Sequence, residues 1–152
     1  RFVKLAVSQG RPNAVVRVGD VLQVTVGKPG PSTVRKAVVG YYATVGEQTY
    51  RPLVDRWCRT LALAPQSWPR SVSMAAFPVR MGSCSKLGDI KFALRSLMLP
   101  PDLIEYLALH ETAHLVHFDH GRSFKAVLDE HMPDWRERRR RLTLLYKRCS
   151  AL

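Results

Sequence analysis

Four of the five histidines in this 152-residue chain lie within eleven residues, between His110 and His120. The segment around them is otherwise apolar, and Leu103, Leu107 and Leu115 recur on it at the spacing of a helix face. Imidazole is the side chain that most often binds metal ions in proteins. The cluster therefore requires a fold in which one helix and the segment after it bring several imidazoles to a common point.

The first five residues of the cluster are His110-Glu111-Thr112-Ala113-His114, an H-E-x-x-H pattern on a predicted helix. Residues four apart differ by about 40° in direction and about 6 Å along the axis, so both rings project from one face. Their nitrogens can reach one Zn²⁺ at roughly 2.0–2.1 Å. Glu111 is predicted to be the general base, which takes a proton from the attacking water and delivers it to the leaving amine. The pattern predicts a zinc peptidase.

Catalytic zinc needs a third protein ligand and one open position. A ligand from the same straight helix would lie too far along the axis, so the helix is expected to end near His117 or Phe118 and allow His120 to fold back. His117 would then stand at the turn, because histidine tolerates a left-handed backbone better than most residues. We predict His120 as the third ligand, with His117 at the helix end or behind the ligands.

Other interpretations of the cluster stay open. A solvated helix face with two surface histidines would also contain H-E-x-x-H, although the density of histidines disfavours it. His117 or a carboxylate could replace His120, and the carboxylate candidates are Glu105, Asp119, Asp129 and Glu130. His131 is expected to be a packed helix residue. Spacing alone does not distinguish zinc from another divalent metal.

Short β-branched runs and helical periodicity predict an α+β chain. Strands are predicted at 2–7, 14–18, 21–26, 71–79 and 89–94. One long helix or two abutting helices are predicted over 34–63, and three further helices from about 100 onward. We expect a single domain over 1–152, with N-terminal strands in 1–33, a helical segment in 34–63 and a catalytic core in 71–152 that ends in a basic helix.

Charge suggests a rival function. The net charge is +12, and arginines are concentrated between Arg136 and Arg141, with Lys147 and Arg148 beyond. Such a helix can attract nucleic acid or a ribonucleoprotein, so the rival is a basic binding module with little or no peptidase activity. A solvated basic surface would have the same composition. In the final helix, Trp135, Leu142, Leu145 and Cys149 are expected to pack inward.

The composition also bears on location. No apolar stretch is long enough to span a membrane. The three cysteines are widely spaced and form no CxxC pair, which favours free thiols in a reducing compartment. The chain starts at Arg1 rather than Met. We therefore expect a fragment or processed form that resides in the cytoplasm, or in an organelle matrix after removal of a targeting segment.

Several motifs in a fixed order resemble the YgjP-like metal-dependent hydrolase family, which is related in its catalytic core to SprT-like and other zincin metallopeptidases. Besides the H-E-x-x-H pattern, the segment from 80 to 142 contains Arg80-Met81-Gly82-Ser83-Cys84, Pro100-Pro101-Asp102-Leu103-Ile104-Glu105-Tyr106, Asp119-His120-Gly121-Arg122-Ser123-Phe124 and Met132-Pro133-Asp134-Trp135. A weaker match covers 50–63. The family's N-terminal strands are expected to be only partly present.

The resemblance implies a zincin-like fold, with a small antiparallel-rich sheet packed against helices that include the H-E-x-x-H helix. It also implies His120 as the third ligand and a peptide or protein as substrate. Met81 and Gly121 depart from the family's usual Trp and Ser. Cys84 is expected in a Gly-Ser turn that places an edge strand beside the substrate groove, rather than as a nucleophile.

Overall fold

A computed structural model describes the backbone of residues 3–149 and the side chains of residues 3–145. The described part contains two three-stranded sheets and four α-helices, which confirms the predicted α+β class. The chain divides into two compact units, with the boundary between Val45 and Gly46. The expectation of a single domain over 1–152 stays a prediction.

The first unit is built from β1 (Lys4–Gln9), β2 (Ala14–Val18), β3 (Val21–Val26) and the start of α1 (Pro31–Thr60). β3 is the central strand, parallel to β1 and antiparallel to β2. Its alternate residues Leu22, Val24 and Val26 are buried, as a period of two requires for a sheet with one covered face. Half-buried residues of α1 pack against them, among them Val34, Val38 and Tyr41.

The second sheet comprises β4 (Ser71–Ala75), β5 (Gly82–Cys84) and β6 (Asp89–Ala93), in the order β4-β6-β5. β6 pairs with β5 antiparallel and with β4 in parallel, so this sheet is mixed rather than antiparallel-rich. The reason is that β5 and β6 form a hairpin, closed at Gly88 with φ +80°, while β4 takes the other side of β6. The predicted strand at 71–79 ends at Ala75, and β5 lies where a turn was expected.

Helix α1 is one continuous helix rather than two, with Pro52 inside it. Its residues in the second unit join that unit's core: Tyr50 stacks on Phe92 of β6 with ring centroids 3.7 Å apart, and both are fully buried. The hydroxyl of Tyr50 donates to Ser96 Oγ at 2.7 Å, which satisfies a polar group that would be costly to bury alone. Burying a ring such as Phe92 contributes roughly 1.5–3 kcal/mol.

Three helices complete the second unit: α2 (Pro101–Ala113), α3 (Arg122–His131) and α4 (Trp135–Cys149). α2 begins at Pro101, close to the predicted position, and the N–H that proline lacks is not needed in the first turn of a helix. Phe124 and Leu128 of α3 are buried, and His131 is a packed helix residue as expected, since its ring lies edge-on to Trp57. The inward packing predicted for Cys149 lies outside the described side chains. Within residues 3–149 no helix combines the length and apolarity needed to cross a bilayer.

Candidate metal centre

The first two candidate metal ligands, His110 and His114, lie at the C-terminal end of helix α2. His110 and Glu111 lie in its last turn, and His114 is its C-terminal cap with φ −68° and ψ −15°. The helix thus ends one turn earlier than the expected His117 or Phe118. The N–H of His117 donates to Ala113 O at 3.0 Å, which closes one further turn at that point.

This turn needs no left-handed residue. Among the described residues Ala62 is the non-glycine position with positive φ, so the expectation that His117 adopts a left-handed backbone was wrong. The helix instead ends in hydrogen bonds between residues three apart, such as Leu115 N–H to Thr112 O at 3.0 Å. The chain then reverses with ordinary dihedral angles. The reversal carries His120 back toward α2.

Three imidazoles converge at this reversal. One ring nitrogen from each of His110, His114 and His120 lies within 4.8 Å of the other two. The Nε2 atoms of His110 and His120 are 3.2 Å apart. Two nitrogens bound tetrahedrally to one Zn²⁺ at 2.0–2.1 Å would be separated by about 3.4 Å. The spacing of the donor atoms therefore fits a single ion of this size.

The nitrogens that face away from this point have partners of their own. His114 Nδ1 lies 2.9 Å from the carbonyl oxygen of His117, which can only accept, so Nδ1 carries the proton and Nε2 keeps its lone pair. His110 Nδ1 lies 3.4 Å from the hydroxyl of Tyr106, one turn earlier on α2. Phe124 of α3 packs beneath the three rings, with centroid distances of 4.6 to 5.0 Å.

Burial favours the neutral form of the His110 and His114 rings. It lowers the pKa of His110 to about 3, and the neighbouring histidines and Arg139 act in the same direction. Burial also lowers the pKa of His114. Only neutral imidazole can donate a lone pair to a metal. His110 and His114 are therefore in the form that can bind a metal at neutral pH.

Comparison with known families decides what kind of domain this is. The model of the family described as "YgjP-like, metallopeptidase domain" matches residues 1–144. The chain belongs to this family. The resemblance seen in the sequence covered residues 80–142, whereas the family model also covers the N-terminal strands. These strands had been expected to be only partly present. Comparison with curated proteins gave no significant match.

Membership of the YgjP-like family confirms the resemblance inferred from the motifs and is consistent with the zincin-like fold. It also makes the chain a metallopeptidase domain by family, for which a divalent metal is implied. Among the described residues the three histidines are the group of His, Cys, Asp and Glu side chains that could hold such an ion.

Glu111 is the buried acid of this YgjP-like site, only 4% exposed. Burial raises its pKa to about 8, and the guanidinium of Arg80 acts in the opposite direction. A divalent cation on the adjacent imidazoles would further favour the carboxylate form. The carboxylate lines a pocket of about 250 Å³ together with the three histidines, Arg80 and β5.

Gly82 of β5 makes room for this carboxylate. A Cβ at that position would lie 2.8 Å from Glu111 Cγ and closer still to the carboxylate itself. Sequence analysis did not single out Gly82, because the requirement comes from a contact between residues 29 positions apart. The Arg80-Met81-Gly82-Ser83-Cys84 motif contained the signal, but sequence reasoning did not connect it to Glu111.

Cys84 lines the same pocket but is not activated. Burial raises its thiol pKa to about 12, and the charge of Glu111 adds to the effect. The thiol is therefore protonated at neutral pH, which agrees with the expectation that Cys84 is no nucleophile. The residue lies in strand β5 rather than in the expected turn.

The alternative ligands are engaged elsewhere. Glu105 pairs with Arg56, and Asp129 accepts hydrogen bonds from Trp135 and Arg136. Asp119 accepts from the N–H of Gly121 at 3.2 Å. The remaining candidates are Glu130, whose side chain is 76% exposed, and His117, whose carbonyl holds His114.

Proposed function

We propose that the chain is a zinc-dependent peptidase in which His110, His114 and His120 hold Zn²⁺ and Glu111 is the general base. The observation that carries the proposal is the convergence of three imidazole nitrogens within 4.8 Å beside a buried glutamate. The donor set supports zinc, since three histidines with room for a further ligand are typical of catalytic zinc sites.

Zn²⁺ bound there would polarise a scissile carbonyl and lower the pKa of the attacking water. The residues of the chain supply the rest. Glu111 accepts the proton of that water on its carboxylate and delivers it to the amine that leaves, so the proton ends on the product. Arg80 keeps positive charge at the mouth of the pocket and favours the ionised form of Glu111.

Strand β5 supports a peptide as the substrate. It is an edge strand, paired with β6 on one side, and its residues Gly82 to Cys84 line the pocket that contains Glu111. An extended peptide can hydrogen-bond to such an edge as an additional strand. Main-chain pairing of this kind would hold a peptide bond beside the base without requiring a particular side chain.

The experiment that tests the proposal is Glu111→Gln, measured as hydrolysis of a fluorogenic peptide mixture by the zinc-loaded protein. The amide keeps the shape of the side chain but cannot accept the proton, so we expect turnover to fall by about 10²–10⁴-fold or more. Zinc content should be unchanged. Glu130→Gln, on an exposed side chain, is the matched control and should retain activity. Full activity of Glu111→Gln would refute the role of Glu111.

The rival function, a module that binds nucleic acid or a ribonucleoprotein, has less support. The rival function was inferred from the arginine-rich helix α4, but most of the arginines between 136 and 141 are paired with carboxylates. The pairs are Arg136 with Asp129, Arg138 with Asp134, Arg140 with Glu137 and Arg141 with Asp102. A cytoplasmic location also remains a proposal, based on cysteine usage.

A further inference from the structure

Helix α4 divides its arginines between two sides. Arg138 and Arg141 point to the start of α2, where they donate to the carbonyl and the carboxylate of Asp102 at 2.8 and 2.5 Å. These two contacts join α4 to the helix that carries the histidines, so their role is structural. Arg136, Arg139 and Arg140 face another way and line a groove.

The groove lies between α3 and α4 and has a volume of about 530 Å³. It shares no lining residue with the pocket around Glu111. Its walls are formed by Lys125 of α3 and by six residues of α4: Trp135, Arg136, Arg139, Arg140, Thr143 and Leu144.

The charge of this groove is only partly compensated. Asp129 neutralises Arg136, and Glu137 neutralises Arg140 through two hydrogen bonds of 2.8 Å. Lys125 and Arg139 form no close ion pair with a carboxylate of the described residues, although the charge of Lys125 acts on Asp129 at longer range. Two positive charges, one on each helix, thus remain available to an acidic ligand.

The groove also offers apolar surface. Leu144 is 50% exposed there. The ring of Trp135 is fixed: its Nε1 donates to Asp129 Oδ1 at 2.8 Å, the guanidinium of Arg136 lies 4.5 Å from its centroid, and the residue is only 5% exposed. A ring held in this way has no free face on which a nucleobase could stack. Exposed leucine beside uncompensated cations instead suits a peptide that alternates acidic and apolar side chains.

We propose that the α3–α4 groove is a docking surface for an acidic, apolar-containing segment of a partner protein. Carboxylates of that segment pair with Lys125 and Arg139, and its apolar side chains cover Leu144. The groove shares no lining residue with the pocket around Glu111, although the charge of Arg139 also acts on His110, and docking can be tested whether or not the chain hydrolyses peptides.

The test is fluorescence anisotropy of the full chain with a labelled peptide of alternating glutamate and leucine. The comparison probes are the same peptide with glutamine for glutamate, the same peptide with serine for leucine, and an oligothymidylate of equal charge. We expect the glutamate–leucine peptide to bind most tightly. The double variant Lys125→Glu/Arg139→Glu should weaken its binding by about tenfold or more, and Leu144→Ser by about threefold or more.

Lys28→Glu/Arg35→Glu is the matched control, because it makes the same change in net charge at exposed positions of the first unit. It should weaken binding less than about twofold. Circular dichroism of each variant shows whether it is folded. The proposal is overturned if both double variants weaken binding equally, if Leu144→Ser has no effect, or if the oligothymidylate binds more tightly than the peptide.

Discussion

The two sheets of this protein share one topology but differ in what surrounds them. In each, the third strand is central, the first strand pairs with it in parallel, the second pairs antiparallel, and a long helix follows in the sequence. β1 is exposed along its whole length, whereas β4 is half-buried or buried throughout. The same strand order therefore supports both a thinly covered sheet and one within a large core.

The chemistry of the two regions differs more than their topology. Residues 1–45 contain one acid, Asp20, and neither histidine nor cysteine. The second unit places Glu111 and His110 on the helix that follows its sheet, and Gly82 on the adjacent edge strand. The proposed site thus depends on the side chains at the strand edge and helix end, and the topology by itself does not create one.

The strongest test of this contrast compares two glycines. Gly82→Ala should push the Glu111 carboxylate out of place and lower kcat/KM for a fluorogenic peptide by about 100-fold, since a displacement near 1 Å has effects of that size. Gly40→Ala, in α1 of the first unit, meets no atom within 4 Å and should instead stabilise the protein by about 0.5–1 kcal/mol. Unchanged kcat/KM in Gly82→Ala would contradict the proposed role of this close approach in positioning Glu111.

A second test compares the two cores. Phe92→Ala removes a fully buried ring and should lower the free energy of unfolding by about 3–5 kcal/mol. Val24→Ala in β3 should lower it by about 1–3 kcal/mol. All three tryptophans lie beyond residue 45, so denaturation followed by tryptophan fluorescence reports on the second unit. A shift of that transition by Val24→Ala, in proportion to its own loss of stability, would show one cooperative domain over both sheets, whereas no shift would show that the two units unfold separately.

The smallest effect concerns the start of α2, which holds the site in place. Hydrogen bonding to Arg141 lowers the pKa of Asp102, so its stabilisation is present above the pKa of an unfolded aspartate and is lost as pH falls through the folded value. Asp102→Asn should therefore reduce stability at pH 7 by about 0.5–1 kcal/mol and have little effect at strongly acidic pH. Thermal melts at both pH values measure this. Asp134→Asn, on a 58% exposed side chain, is the control and should have a smaller effect. If Asp102→Asn were equally destabilising in acid, the loss of stability would not come from the charge of Asp102.

Local patterns in the sequence predicted much of this structure. Periodicity predicted the α+β class and most elements, and the four-residue spacing of His110 and His114 predicted their approach. The helix end at His114 was missed because no glycine or proline marks it. β5 was missed because three residues are too few for a period of two, and the role of Gly82 depends on a tertiary contact that spacing cannot reveal.

The central claim is that His110, His114 and His120 together hold one metal ion. Elemental analysis of purified wild type, His120→Ala and His117→Ala tests it most directly. We predict about one zinc per chain in the wild type and in His117→Ala, because His117 contributes only a backbone carbonyl to the site, and loss of zinc in His120→Ala. Zinc retained by His120→Ala but lost from His117→Ala would contradict the proposed ligand set.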